Sequence, residues 1–68
     1  MSVAKVSEIS ATSPKSFEDA IQQGLKRASK TLRNVRGAWI KEQEVNCGKD
    51  GNITEYKVNM MVTFVLDD

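Results

Sequence analysis

The chain has 68 residues, 40% of them apolar, a formal net charge of +1, one cysteine and no histidine. This length fits a single domain over residues 1–68, and the apolar fraction suits a globular fold, not a disordered one. Cys47 has no internal disulfide partner, the usual zinc ligand sets are missing, and a core this small leaves self-assembly as the remaining support.

The near-neutral charge gives no general reason to expect nucleic acid or an anionic membrane as partner. No run approaches membrane-spanning length. The opening MSVAKVSEISATS lacks the long apolar segment of a secretory leader, so a cytoplasmic, reducing location is the simplest expectation.

In chain order, VAKVSEIS (3–10) reads as a first strand whose alternation is too irregular to assign faces. A helix follows in TSPKSFEDAIQQGLKRASKTLRNV. There Phe17, Ala20, Ile21, Gly24, Leu25, Ala28, Leu32 and Val35 recur at the spacing of an amphipathic face. Ser16 is the predicted N-cap, with Asp19 as a short-armed capping-box partner; Ser13 before Pro14 is an alternative start. Glu18 and Asp19 suit the positive end of the helix dipole, Lys30 and Arg33 the negative end. Gly24 costs about 1 kcal/mol against alanine in a helix interior, so it is read as a close backbone approach.

VRGAWIKEQEV is predicted to be a second strand, with Ala38 and Ile40 toward the core and Gly37, Trp39, Lys41 and Gln43 away from it. NCGKDGN makes a hairpin to a third strand. In that strand Tyr56, Val58, Met60, Val62, Phe64 and Leu66 alternate with Lys57, Asn59, Met61, Thr63, Val65 and Asp67. The even residues are the predicted core face, packed on Phe17, Ile21, Leu25, Ala28 and Leu32. A right-handed crossover and a hairpin then give an α+β fold: a β-α-β-β subunit with a three-stranded antiparallel sheet in the order 1-3-2. One face carries the helix. The other carries Trp39 and Met61, with no element left to cover it.

An indole on such a face is a half-exposed surface residue, an anchor in a subunit interface, or a stacking platform for a planar ligand held between subunits. At this point KVSEISATSPKSFEDAIQQGLKRASKTLRNVRGAWIKEQ, followed by a hairpin and EYKVNMMVTFVLDD, resembles the dodecins over nearly the whole chain. TSPKSFEDAI, RASKTLRNV and VTFVLDD carry the likeness most specifically. The resemblance implies a sheet wrapped around the helix and a hollow homododecamer of cubic symmetry. It also implies flavins (FMN or riboflavin) bound in pairs at two-fold contacts, for storage and not for catalysis.

Two signature positions differ. In flavin-binding dodecins a stacking Trp follows the tripeptide that corresponds to Asn34, Val35 and Arg36; here that place is Gly37, and Trp39 comes two residues later. A Gln on the last strand that bonds the flavin edge corresponds to Lys57. Residues two apart on a strand share a face, so Trp39 stays on the surface of Gly37, displaced by roughly 6.5–7 Å. Lysine donates to carbonyl or phosphate oxygens but cannot accept from a ring N–H. The implied ligand-binding residues are therefore Arg36, Gly37, Trp39 and Lys57. Some dodecin-like proteins that lack the stacking Trp carry metal ions instead.

Other chemistry has less support. Without histidine, and with Cys47 in a turn, no nucleophile–base pair is evident, so an enzyme is not expected. Glu42 and Glu44 at i, i+2 suit an edge or interface ion pair better than an acid–base pair. Calcium at KDGN, or near Glu42, Glu44 and Glu55, would need oxygens from several subunits. The basic residues Lys26, Arg27, Lys30, Arg33 and Arg36 suit the phosphates of coenzyme A or FMN, or a solvated helix face with intersubunit salt bridges. Two expectations stand: flavin sequestration on Trp39, or a flavin-free cage that binds ions or coenzyme A or is purely structural.

Overall fold

The computed structural model describes residues 2–66, so the expected outward position of Asp67 lies outside the described residues. It contains β1 (Ala4–Ser13), α1 (Phe17–Thr31), β2 (Val35–Cys47) and β3 (Ile53–Val65). The sheet order is β1-β3-β2 with both pairings antiparallel, as the topological argument requires. The most apolar strand is central.

Ser16 caps α1 from an extended conformation, its Oγ accepting the Asp19 N–H at 2.9 Å. The alternative start at Ser13 is not used, because Ser13 closes β1. Its buried hydroxyl donates to Asp19 Oδ2 at 2.6 Å and accepts the Lys15 N–H at 3.0 Å. Asp19 thus ties the first helical turn to the end of β1. The Ser13 hydrogen bond holds the Asp19 carboxyl below its ordinary range against an opposing desolvation cost, with further help from Gln23 and Lys15.

The helix ends earlier than its periodicity predicts. Leu32 is the C-cap and Val35 opens β2, so neither continues the helical face. Leu32 is already extended, and the turn into β2 follows at Asn34, whose φ of 61° lies in the left-handed region that asparagine tolerates. Asn34 Nδ2 donates to the Val65 carbonyl at 3.2 Å, and the Val65 N–H donates to the Asn34 carbonyl at 3.1 Å. These bonds fasten the chain reversal to the end of β3.

The core is tighter than the large helical residues suggest. Val58, Met60 and Val62 of β3 are fully buried, and the helix meets them with Ala20, Gly24 and Ala28. Phe17, Ile21, Leu25 and Leu32, predicted as the main contacts, are half-buried at the flanks. Small residues at i, i+4 and i+8 let the helix axis approach the sheet while larger neighbours splay aside. A Cβ at Gly24 would overlap the Met60 methyl and come within 3.0 Å of Ala11 Cβ. At the start of α1, Phe17 meets Tyr56 edge-on with centroids 5.1 Å apart.

The faces of β1 are now assigned: Ser7, Ile9, Ala11 and Ser13 look toward α1, opposite Val62, Met60, Val58 and Tyr56. Ala38 and Ile40 lie on the helix side, opposite Val62 and Met60, yet remain exposed. The helix covers β1 and β3 and only grazes β2, which corrects their assignment to the core.

A second correction concerns strand parity. The pairing of β2 with β3 slips between Val35 and Gly37, between Ile40 and Glu42, and between Asn46 and Cys47. At the middle slip Lys41 has no partner on β3. A bulge of this kind inverts the alternation beyond it. Gln43, expected away from the helix, is opposite Val58 on the helix side. Glu42 and Glu44 take the outer face, opposite Asn59 and Lys57.

Candidate functional site

The register arranges the outer face of the sheet in four rows across β1, β3 and β2. They are Val6–Thr63–Gly37, Glu8–Met61–Trp39, Ser10–Asn59–Glu42 and Thr12–Lys57–Glu44. The helix lies on the opposite side, so among the described residues no element covers these rows. The first two are largely apolar and the last two polar.

Trp39 is 53% exposed. An atom placed at the missing Cβ of Gly37 would have no non-neighbouring atom within 4 Å. The shifted indole therefore does not fill the place beside it. In one chain the site offers an exposed indole and, on its Gly37 side, a place free of non-neighbouring atoms. Arg36 is exposed beside this notch, in the slip between Val35 and Gly37.

Lys57 shares the face but not the neighbourhood. It is four residues along β3 from Met61, about 13 Å from the Trp39 row. Its Nζ lies 3.5 Å from Glu44 Oε1. Within one chain, Trp39 and Lys57 cannot grip the same ring edge. They can act on one ligand only if it spans two rows or if two copies contribute.

Two side-chain pairs near Trp39 leave little trace in the sequence. Lys41 Nζ lies 3.4 Å from both carboxylate oxygens of Glu8, on the far edge strand. This ion pair arches over β3 at the row of Met61 and Trp39, because the bulge leaves Lys41 on the outer face. The second pair is Asn59 Nδ2 donating to Glu42 Oε1 at 3.2 Å. The alternation of β3 alone places Asn59 on this face, so that half of the signal is present in the sequence. Its partner becomes visible only once the bulge is known.

Among the described residues, no group of three or more His, Cys, Asp or Glu is arranged to hold a metal ion. The candidate carboxylates are dispersed into separate pairs. Glu42 accepts from Asn59, Glu44 faces Lys57, and Glu55 accepts from Asn46 Nδ2 at 3.1 Å. Asp50 accepts the Asn52 N–H at 3.0 Å and the Asn52 amide at 2.8 Å. The bond from the Asn52 backbone, foremost, holds the Asp50 carboxyl below its usual range. On the helix side, a cleft of about 430 Å³ between β1 and α1 is rimmed by Gln23, Arg27 and Thr31. No helix among the described residues is long and apolar enough to cross a membrane.

Comparison with known proteins agrees with this architecture. A family model described as Dodecin matches residues 3–67. Calcium dodecin of Mycobacterium tuberculosis is 38% identical over 64 residues, 94% of this chain and 89% of that protein. Dodecin of Thermus thermophilus is 39% identical over 66 residues, 97% of this chain and 94% of that one. Among solved structures, dodecin from Streptomyces davaonensis superposes with a TM-score of 0.92 at 36% identity, covering 98% of this chain and 97% of that chain. The M. tuberculosis calcium dodecin, solved with a novel calcium-binding site, superposes with a TM-score of 0.81 at 32% identity, covering 96% and 91%. With the element order, the strand order and nearly the whole length in common, this chain belongs to the dodecin family.

Proposed function

We propose that this chain, as one unit over 1–68, is a cytoplasmic binding and storage protein, not an enzyme, that assembles as a homododecamer. In this reading it holds FMN or riboflavin at two-fold contacts between copies. The observation that carries it is the exposed Trp39 beside the open notch at Gly37. A planar ring can stack on that indole from the side of Gly37, and a second copy over the same face shields it from water. The small core and the uncovered outer face support self-association. Across a two-fold axis, Lys57 and Arg36 of a neighbouring copy supply the cations that suit a flavin carbonyl or phosphate.

The test is a fluorescence titration of FMN and riboflavin with the purified protein, its size checked by native mass spectrometry. Strong flavin quenching on a dodecamer is the expected result. A dodecamer without quenching would refute the flavin reading.

A second reading has one specific support: a relative 38% identical to this chain is a calcium dodecin. In it the cage binds calcium-like ions, or coenzyme A through the basic helix face. With the carboxylates of one chain dispersed, calcium would need oxygens from several copies.

A further inference from the structure

We infer that β2 of one copy adds to the open edge of β1 in the next, seated in the cleft between β1 and α1. This rests on the self-association proposed above and names a contact apart from the face that carries Trp39.

The sheet order leaves β1 and β2 each with a neighbouring strand on one side only. The other edge of each is a row of outward-pointing N–H and C=O groups, and neither strand contains a proline to block it. On β1 that edge adjoins the cleft of about 430 Å³. The cleft touches the consecutive residues Ile9 to Thr12, although successive strand side chains point to opposite faces. It therefore runs along the edge of the strand, where a fourth strand would lie. Its far wall is one stripe of α1, with Gln23, Arg27 and Thr31 a turn apart on the rim and Gly24 and Ala28 beneath them. A groove between an edge strand and a helix takes an extended chain. Such a chain pairs with the strand's backbone groups and lays alternate side chains into the groove.

β2 is the segment of this chain that suits the groove. The helix only grazes β2, so Ala38, Ile40 and Val45 are exposed on its helix side. Laid beside β1 of another copy, β2 continues that copy's sheet. Its uncovered side then comes under the neighbour's helix. Ile40 and Val45 extend the apolar layer formed there by Ile9 and Ala11, and Gln43, on the same side, meets the polar rim. The inner side of β2 thus gains the cover that its own helix does not provide.

The two surfaces are different parts of the chain, so this contact is head-to-tail and repeats until a ring closes. The contact proposed over Trp39 pairs like with like across a two-fold axis and stops at two copies. A closed shell of many copies needs both kinds.

The experiment is native mass spectrometry of the purified protein and of a double variant, Ile40→Lys with Val45→Lys. Both side chains are exposed in one chain, so circular dichroism should show the fold retained. The variant should fall from the full assembly to the dimer held over Trp39. As a second measurement, a photoreactive diazirine side chain replaces Gln23 or Thr31, at the ends of the rim, in an assembly mixed from isotope-labelled and unlabelled copies. Crosslinks between copies should fall on residues 38–45. A double variant that keeps the full assembly overturns the inference, as do crosslinks between copies that are absent or fall elsewhere. Where the double variant fails to fold, the crosslinks decide. A wild type that stops at a dimer overturns the edge contact alone. A monomeric wild type refutes the self-association itself, and this inference with it.

Discussion

Gly37→Ala separates the stability of the strand from the function of the notch. A glycine inside a strand costs roughly 0.5–1 kcal/mol relative to alanine, because the unfolded chain has more freedom to lose. That gain is realised only if the new methyl meets no obstacle and the backbone suits an L-residue. Both conditions hold: no non-neighbouring atom lies within 4 Å of the added Cβ, and Gly51 is the glycine with positive φ. With no overpacking to subtract, the variant should be stabilised by about 0.5–1 kcal/mol. In a domain of this size that is roughly 2–8 °C in thermal midpoint. Circular dichroism melts at matched protein concentration would measure it, since self-association also shifts the midpoint. Gly37→Ile should keep the fold and close the notch, so flavin quenching should fall sharply while the melt does not. If Gly37→Ala instead lowers the midpoint, the place beside Trp39 is already filled in the assembled protein, and the argument for an open stacking site fails.

Gly24→Ala should act in the opposite direction. The helix gains about 1 kcal/mol in propensity, but the overlap with Met60 and Ala11 costs about 1–3 kcal/mol, so denaturant unfolding should show a neutral to destabilised protein. Trp39→Ala should abolish flavin quenching with the assembly retained; native mass spectrometry showing dissociation would make the indole an interface anchor instead. Asp19, with its folded-state carboxyl held low, contributes stability that is present above the unfolded value and lost as pH falls through the folded one. Asp19→Asn should therefore lower the midpoint at neutral pH and flatten its decline in acid, read from melts across the pH range. An unchanged acid limb would show that the Ser13 bond carries no linkage.

Much of this fold is legible without coordinates, and for identifiable reasons. The strict alternation from Tyr56 to Phe64 gives β3 and its helix-side face, buried at Val58, Met60 and Val62, and the helical recurrence gives α1; Leu66, expected on the same face, follows the strand and is exposed. Connectivity then leaves β3 in the centre. What fails to be legible is what leaves no mark on composition. Lys41 stands in a polar run, so the single extra residue there changes no pattern that periodicity can detect. The inner face of β1 hides for a different reason: Ser7 and Ser13 look outward-facing by type, and Ser13 is buried because Asp19 and the Lys15 N–H satisfy its hydroxyl. On the helix, periodicity finds the correct side, but size does not rank burial, since close approach favours Ala20, Gly24 and Ala28. At the site, Trp39 and Lys57 are correctly given a common face. Their separation depends on the register, and the neighbours that matter to Trp39, Lys41 with Glu8 and Asn59 with Glu42, depend on the bulge.

The unpaired Lys41 also bears on how β2 tolerates change of length. It acts as a frame-shift within the strand: residues before it follow one parity and residues after it the other. Losing that one residue would be a small event for the backbone, which would close into an ordinary ladder. It would exchange the two sides of the entire distal arm, carrying Gln43 and Val45 outward and Glu42 and Glu44 inward. Substitutions in this segment alter one side chain at a time, whereas a one-residue insertion or deletion rewrites a whole surface. Surfaces of this kind can therefore diverge abruptly between relatives whose chains remain closely superimposable.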